Sequence, residues 1–133
     1  LPALDAPVTV VRDAHGVPYI RAMSFRDVIR AQGFVVAQDR LFQMELAKRA
    51  ALGRLSELFG AATLEVDTDS RVMGFHRIAD VHWRTLNAEN RQMLSDFADG
   101  LNAYITEHAD DYPWSCSSWA PLRNRGTKLT CWP

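Results

Sequence analysis

The chain of 133 residues has no stretch approaching the roughly 20 consecutive apolar residues that cross a bilayer, so no membrane span is expected. It has no excess charge of either sign: 15 Lys and Arg stand against 16 Asp and Glu, and no basic run is present that would neutralise a phosphate backbone. Nucleic acid is therefore not an expected partner. Gly-rich phosphate loops, HExxH, GxSxG and cysteine pairs at zinc spacing are all missing. His15, His76, His82 and His108 follow no metal-ligand spacing, and Asp67 with Asp69 resembles only a fragment of a calcium loop without its closing Glu. The two cysteines, Cys116 and Cys131, both fall in the last twenty residues and leave the redox setting of the remainder unmarked. The first residue is Leu1, with neither a basic region nor an apolar core behind it, and an upstream segment such as a removed signal peptide is an ordinary expectation.

What is there is one globular unit at most, 47% hydrophobic and 23% charged. Residues 8–13 and 17–21 are rich in β-branched residues, and Asp13 to Gly16 supply turn chemistry, so the start reads as a hairpin with Pro18 at a strand start. Ser24 followed by Asp27 reads as a capping box opening a helix. Phe34, Ala37, Leu41 and Met44, with Val35, Phe42 and Leu46 on the next stripe, give that helix an apolar face too wide for one-sided packing. The expectation is that Phe34, Val35, Leu41, Phe42 and Leu46 are shielded only when a partner chain is present. Gly33 is expected to separate a short first helix, Gly53 to end the long one, and residues 54–59 to add a helical piece.

Residues 61–69 read as a loop or extended segment, after which Asp69 or Ser70 is expected to cap a helix through Trp83. His76 and Asp80 on that helix read as a surface ion pair. Asn87 is expected to cap a last helix with an apolar stripe of Leu94, Phe97, Ala98, Leu101 and Ile105. Its other face, with Arg91, Asp96, Asp99 and Glu107, reads as solvated. The fold class is α+β: an N-terminal β-hairpin followed by a mainly helical segment.

None of these elements reveals a reaction, but particular residues do. Arg12 and Asp13 with Gly16 and Pro18, then the run from Gly33 through Gln38, Asp39, Arg40, Leu41, Phe42, Gln43, Met44 and Glu45, closely resemble the start of the penicillin acylase α subunit. Gly53, Gly60, Arg71, Ala79 and residues 98–103 extend the resemblance over roughly the first 108 residues. The resemblance implies a portion of a two-chain αββα N-terminal-nucleophile hydrolase cleaving N-acyl amide bonds, of penicillin or N-acyl homoserine lactone type. Its nucleophile is the Ser that begins a separate β chain, activated by its own amino group. No catalytic residue is then expected in this chain. No catalytic cofactor is implied, a structural calcium ion would have its ligands outside this chain, and the compartment is periplasmic or secreted. Arg12, Asp13, Gly16, Pro18, Gln38, Asp39, Arg40, Phe42, Gln43 and Glu45 are candidates for scaffold or interface, with the polar members on a helix expected to be buried on both sides.

The resemblance covers 1–113 and stops at Pro113. Residues 114–133 have no helical or strand period, yet contain Trp114, Trp119 and Trp132 and both cysteines. Reading the third base of each codon with the first two of the next permits a G-x-x-P-x-x-W-x-x-x-D pattern similar to the continuation of acylase α chains. The Gly across Trp119 and Ala120, the Leu across Cys131 and Trp132 and the Ala across Trp132 and Pro133 are forced by the code. A frame-shifted tail is the expectation; the alternative is an authentic tail whose tryptophans pack against the helices.

Overall fold

The computed structural model describes residues 4–108. The expected tail at 114–133, with its tryptophans and cysteines, lies outside the described residues. Strands β1 (Thr9–Arg12) and β2 (Pro18–Arg21) pair antiparallel, from Thr9 opposite Arg21 to Arg12 opposite Pro18. Asp13 shapes the turn by accepting from the backbone N–H groups of His15 and Val17, each at 2.9 Å. Gly16 occupies φ 80°, where a Cβ would be strained. Pro18 opens its strand, the position where a missing N–H is tolerated.

Helix α1 (Phe25–Leu52) starts where the sequence places it, and the backbone N–H of Asp27 donates to Ser24 Oγ at 3.1 Å. The reciprocal half of the capping box is not formed there. The Asp27 carboxylate instead accepts from the backbone N–H of Asp5 at 3.0 Å, tying the N-terminal segment to the helix. Gly33 does not separate two helices; it is a helical residue whose missing Cβ serves packing. The break lies at Arg40, whose φ −139° and ψ 20° are not helical. Gly53 ends α1 in a Schellman arrangement: at φ 64° its N–H donates to Ala50 O at 3.1 Å, and Arg54 N–H donates to Arg49 O at 2.8 Å.

The Arg40 break is also where the described residues divide into two compact units, 4–39 with 87–108 and 40–86. In the first, α5 (Ala88–Glu107) is capped by Asn87, whose side chain accepts from Asn90 N–H at 2.8 Å. It packs on the first part of α1 through Ala31, Val35, Ala37, Ala98, Leu101 and Tyr104, with Phe34 edge-on to Tyr104 at 5.3 Å between ring centres. The two helices cross on glycine. A Cβ on Gly33 would strike Phe97 O, and one on Gly100 would strike Arg30 O. Val35 and Leu41 are only 4% and 8% exposed without any partner chain, which corrects the expectation that a partner is needed to shield them.

The second unit continues from α1 into α2 (Ser56–Phe59), a 3-10 turn (Gly60–Thr63), α3 (Leu64–Met73) and α4 (Phe75–Thr85). Two expectations are overturned here. Residues 61–69 are helical, because Asp67 and Ser70, one turn apart, form the inward face of α3. Asp69 and Ser70 consequently lie inside α3 and cap nothing. The next helix begins only after Gly74, which ends α3 in the left-handed region at φ 71°.

Candidate functional site

The family-like residues of the first unit converge on Arg12, the last residue of β1. Its guanidinium donates to both carboxylate oxygens of Asp39 at 2.8 and 3.0 Å, to Gln38 Oε1 at 2.8 Å and to Gly16 O at 2.9 Å. One planar fork thus joins the hairpin turn to the last helical turn before the Arg40 break. A solvent-facing ion pair is ordinarily worth little, but a bidentate fork with two further acceptors fixes orientation as well as distance. Asp13 beside it is occupied by the turn amides, with Tyr19 Oη a further 3.4 Å donor. Arg12, Asp13, Gly16, Pro18, Gln38 and Asp39 are thereby brought together as a brace.

In the second unit, Arg40 donates to Gln43 Oε1 at 3.0 Å, Glu45 pairs with Arg49, and Phe42 is half-buried. Gln38, Asp39, Arg40 and Gln43 are exposed in this chain by itself. The motif's apolar members take the inward positions, and the polar ones bond to each other and to the hairpin.

Buried polar groups lie elsewhere, and one of them is on the face of α5 expected to be solvated. Asp96 is 1% exposed. It accepts from Arg26 Nε and one terminal nitrogen at 2.9 Å each, from Arg30 at 2.8 Å and from Gln92 at 3.3 Å. The Arg26 hydrogen bonds hold its carboxyl below the usual range against the opposing effect of burial. Asp27 is likewise lowered, chiefly by the Asp5 N–H. The signal was present in the spacing: Asp96 lies four residues before Gly100, and Arg26 lies four before Arg30, so each pair shares a helix side at the crossing.

Asp67 is the corresponding group of the second unit. Its carboxylate accepts from the N–H groups of Leu55 at 2.8 Å and Ser56 at 2.7 Å, and from Ser56 Oγ at 2.5 Å. Burial alone would raise its pKa, but these donors outweigh burial and lower it. Nearby, Arg71 Nε donates to Gly53 O at 2.9 Å. Asp67 thus caps the start of α2. Among the described residues, no three His, Cys, Asp or Glu side chains are grouped to hold a metal ion.

The structure is similar to a thermostable penicillin G acylase from Alcaligenes faecalis, with a TM-score of 0.74 and 29% identity over 85% of this chain and 62% of that one. The sequence is 45% identical over 109 residues to the penicillin acylase 2 proenzyme of Pseudomonas sp. (strain SE83), covering 82% of this chain. It is 34% identical over 106 residues to an acyl-homoserine lactone acylase of Pseudomonas aeruginosa, covering 80% of this chain. Residues 7–127 match the penicillin amidase family, and the chain belongs to that family. It spans 14% and 12% of the length of those two curated relatives.

Proposed function

We propose that this chain is an α-subunit portion of an amidohydrolase that cleaves N-acyl amide bonds of penicillin or N-acyl homoserine lactone type. The observation that supports this most is the 45% identity to a penicillin acylase proenzyme across 82% of the chain. In this reading the nucleophile is an N-terminal Ser on a separate β chain, whose amino group serves as its base. The residues described above act as scaffold or interface, and none of them is catalytic. Arg12, Gln38 and Asp39 hold the hairpin on α1, and Asp96 holds α1 on α5, so that this scaffold is rigid. The assembled enzyme acts in the periplasm or is secreted, and any structural calcium ion has its ligands outside this chain.

The isolated 133-residue chain is expected to show no turnover of a chromogenic acyl anilide. Supplying the remaining polypeptide of a related acylase is expected to restore it. Turnover by the chain with no second polypeptide detectable by mass spectrometry overturns this reading, and failure of the supplied complex to hydrolyse any acyl anilide favours an inactive product or a helical binding module.

A separate proposal concerns residues 114–133, which we read as translated out of frame. The forced Gly, Leu and Ala of the neighbouring frame support it, together with three tryptophans in a segment without periodicity. Resequencing the gene across codon 113 is expected to reveal a one-base difference that restores the G-x-x-P-x-x-W-x-x-x-D pattern. Recovery of the frame as written sinks the proposal.

A further inference from the structure

Residues 40–86 sort their side chains in the reverse of a free-standing domain. Arg49, Gly53, Asp67, Ser70 and Gly74 are buried there, and among the described residues of this unit Leu41 is the one buried apolar side chain. Large apolar residues of α3 and α4 face out. On α4, Phe75, Ile78 and Val81 recur every three residues and are 40%, 48% and 59% exposed. On α3, Val66 and Met73, two turns apart and so on one side, are exposed as well. The unit is shorter than the ~50 residues of the smallest usual domains, and much of the apolar surface of α3 and α4 is left uncovered.

The charges beside this ridge narrow what can cover it. Arg77 and Arg84, also two turns apart and exposed, run along the Val81 side of α4, with Asp80 the one acidic residue of that helix. A second copy of the chain would bring a second row of arginines to the same contact, and like charges brought together at an interface oppose association. An apolar surface rimmed by carboxylates fits instead. The relatives have ample polypeptide to supply one, since this chain spans 14% of the Pseudomonas sp. penicillin acylase proenzyme and 62% of the Alcaligenes faecalis acylase chain.

We infer that the Phe75, Ile78 and Val81 ridge of α4, bordered by Arg77 and Arg84, is a docking surface for the remaining polypeptide of the same acylase. It receives an apolar patch with an acidic rim. The inference rests on the acylase reading above, and it places the contact on α4 and not on the α1 residues that the sequence had marked.

The test is to co-express the 133-residue chain with a tagged Pseudomonas sp. (strain SE83) acylase polypeptide lacking its own matching region. The wild-type chain is expected to co-purify. The double variant Ile78→Asp with Val81→Asp should reduce its recovery at least tenfold, while the variant alone keeps the wild-type melting temperature because both positions are exposed. Arg77→Glu with Arg84→Glu should weaken recovery most at low salt. Undiminished recovery of the double Asp variant overturns the inference, as does failure of the wild-type chain to co-purify. So does a concentration-dependent dimer, seen by ultracentrifugation, that the Asp variant abolishes. A complex that forms through α4 yet hydrolyses no acyl anilide leaves the docking surface standing and removes the proposed function alone.

Discussion

Gly100→Ala is expected to cost the chain ~2 kcal/mol, the difference between ~3 kcal/mol of overpacking and the ~1 kcal/mol by which Ala is the better helix former. The overpacking estimate sits at the upper end because the added Cβ meets the backbone carbonyl of Arg30, which cannot rotate away as a side chain would. Relief requires α5 to lift off α1, and that loosens Val35, Leu101 and Tyr104 together. For a domain of this size the loss corresponds to a fall in melting temperature of about 10 °C. Gly33→Ala should behave alike, since its Cβ would meet Phe97 O. Asp99→Ala, at an exposed position of the same helix, is the control and should stay within ~0.5 kcal/mol of wild type. Thermal denaturation of the three variants decides the matter: if Gly100→Ala melts with Asp99→Ala, the helices do not cross in backbone contact.

Asp96→Asn is expected to cost about 3 kcal/mol at neutral pH, the lower end for breaking a buried ion pair. The lower end applies because Arg26 is half exposed and can return to water, while Arg30 retains Asp27 at 3.6 Å and Asp5 at 3.8 Å. The pH dependence has a definite sign. The native-state pKa of Asp96 lies below its unfolded value, so its contribution is complete above the ordinary Asp range near about 3.9 and disappears as pH falls through the lowered native value. Urea midpoints of wild type and Asp96→Asn should accordingly differ widely at pH 7 and converge at strongly acid pH. An equal gap at both ends would show that the loss comes from shape and not from charge.

The hairpin, the Ser24 start of α1, the Gly53 stop and the Asn87 cap were legible because each rests on local chemistry: β-branched runs, a hydroxyl acceptor, a positive φ, a side-chain amide. The misreadings all needed long-range knowledge. Gly33 resembles a helix breaker until α5 is known to press against it, and Asp96 resembles a solvated residue until Arg26 and Arg30 are known to face it. Residues 61–69 show no clean apolar period because the side of α3 that turns inward carries Asp67 and Ser70. The candidate residues themselves were recognised by resemblance. Their spacing alone gave no hint that Arg12, at the end of a strand, would reach Gln38 and Asp39 on a helix.

The carboxylate of Asp67 has a consequence for the order in which the chain acquires structure. Helix α2 has four residues, too few to offset the entropy of nucleating a turn, and no side chain of its own N-terminal residue caps it. Its first amides are satisfied from α3, eleven and twelve residues further along. In kinetic terms α2 is a follower: it cannot precede α3, and solvent deuterium reaches Leu55 and Ser56 only when α3 releases them.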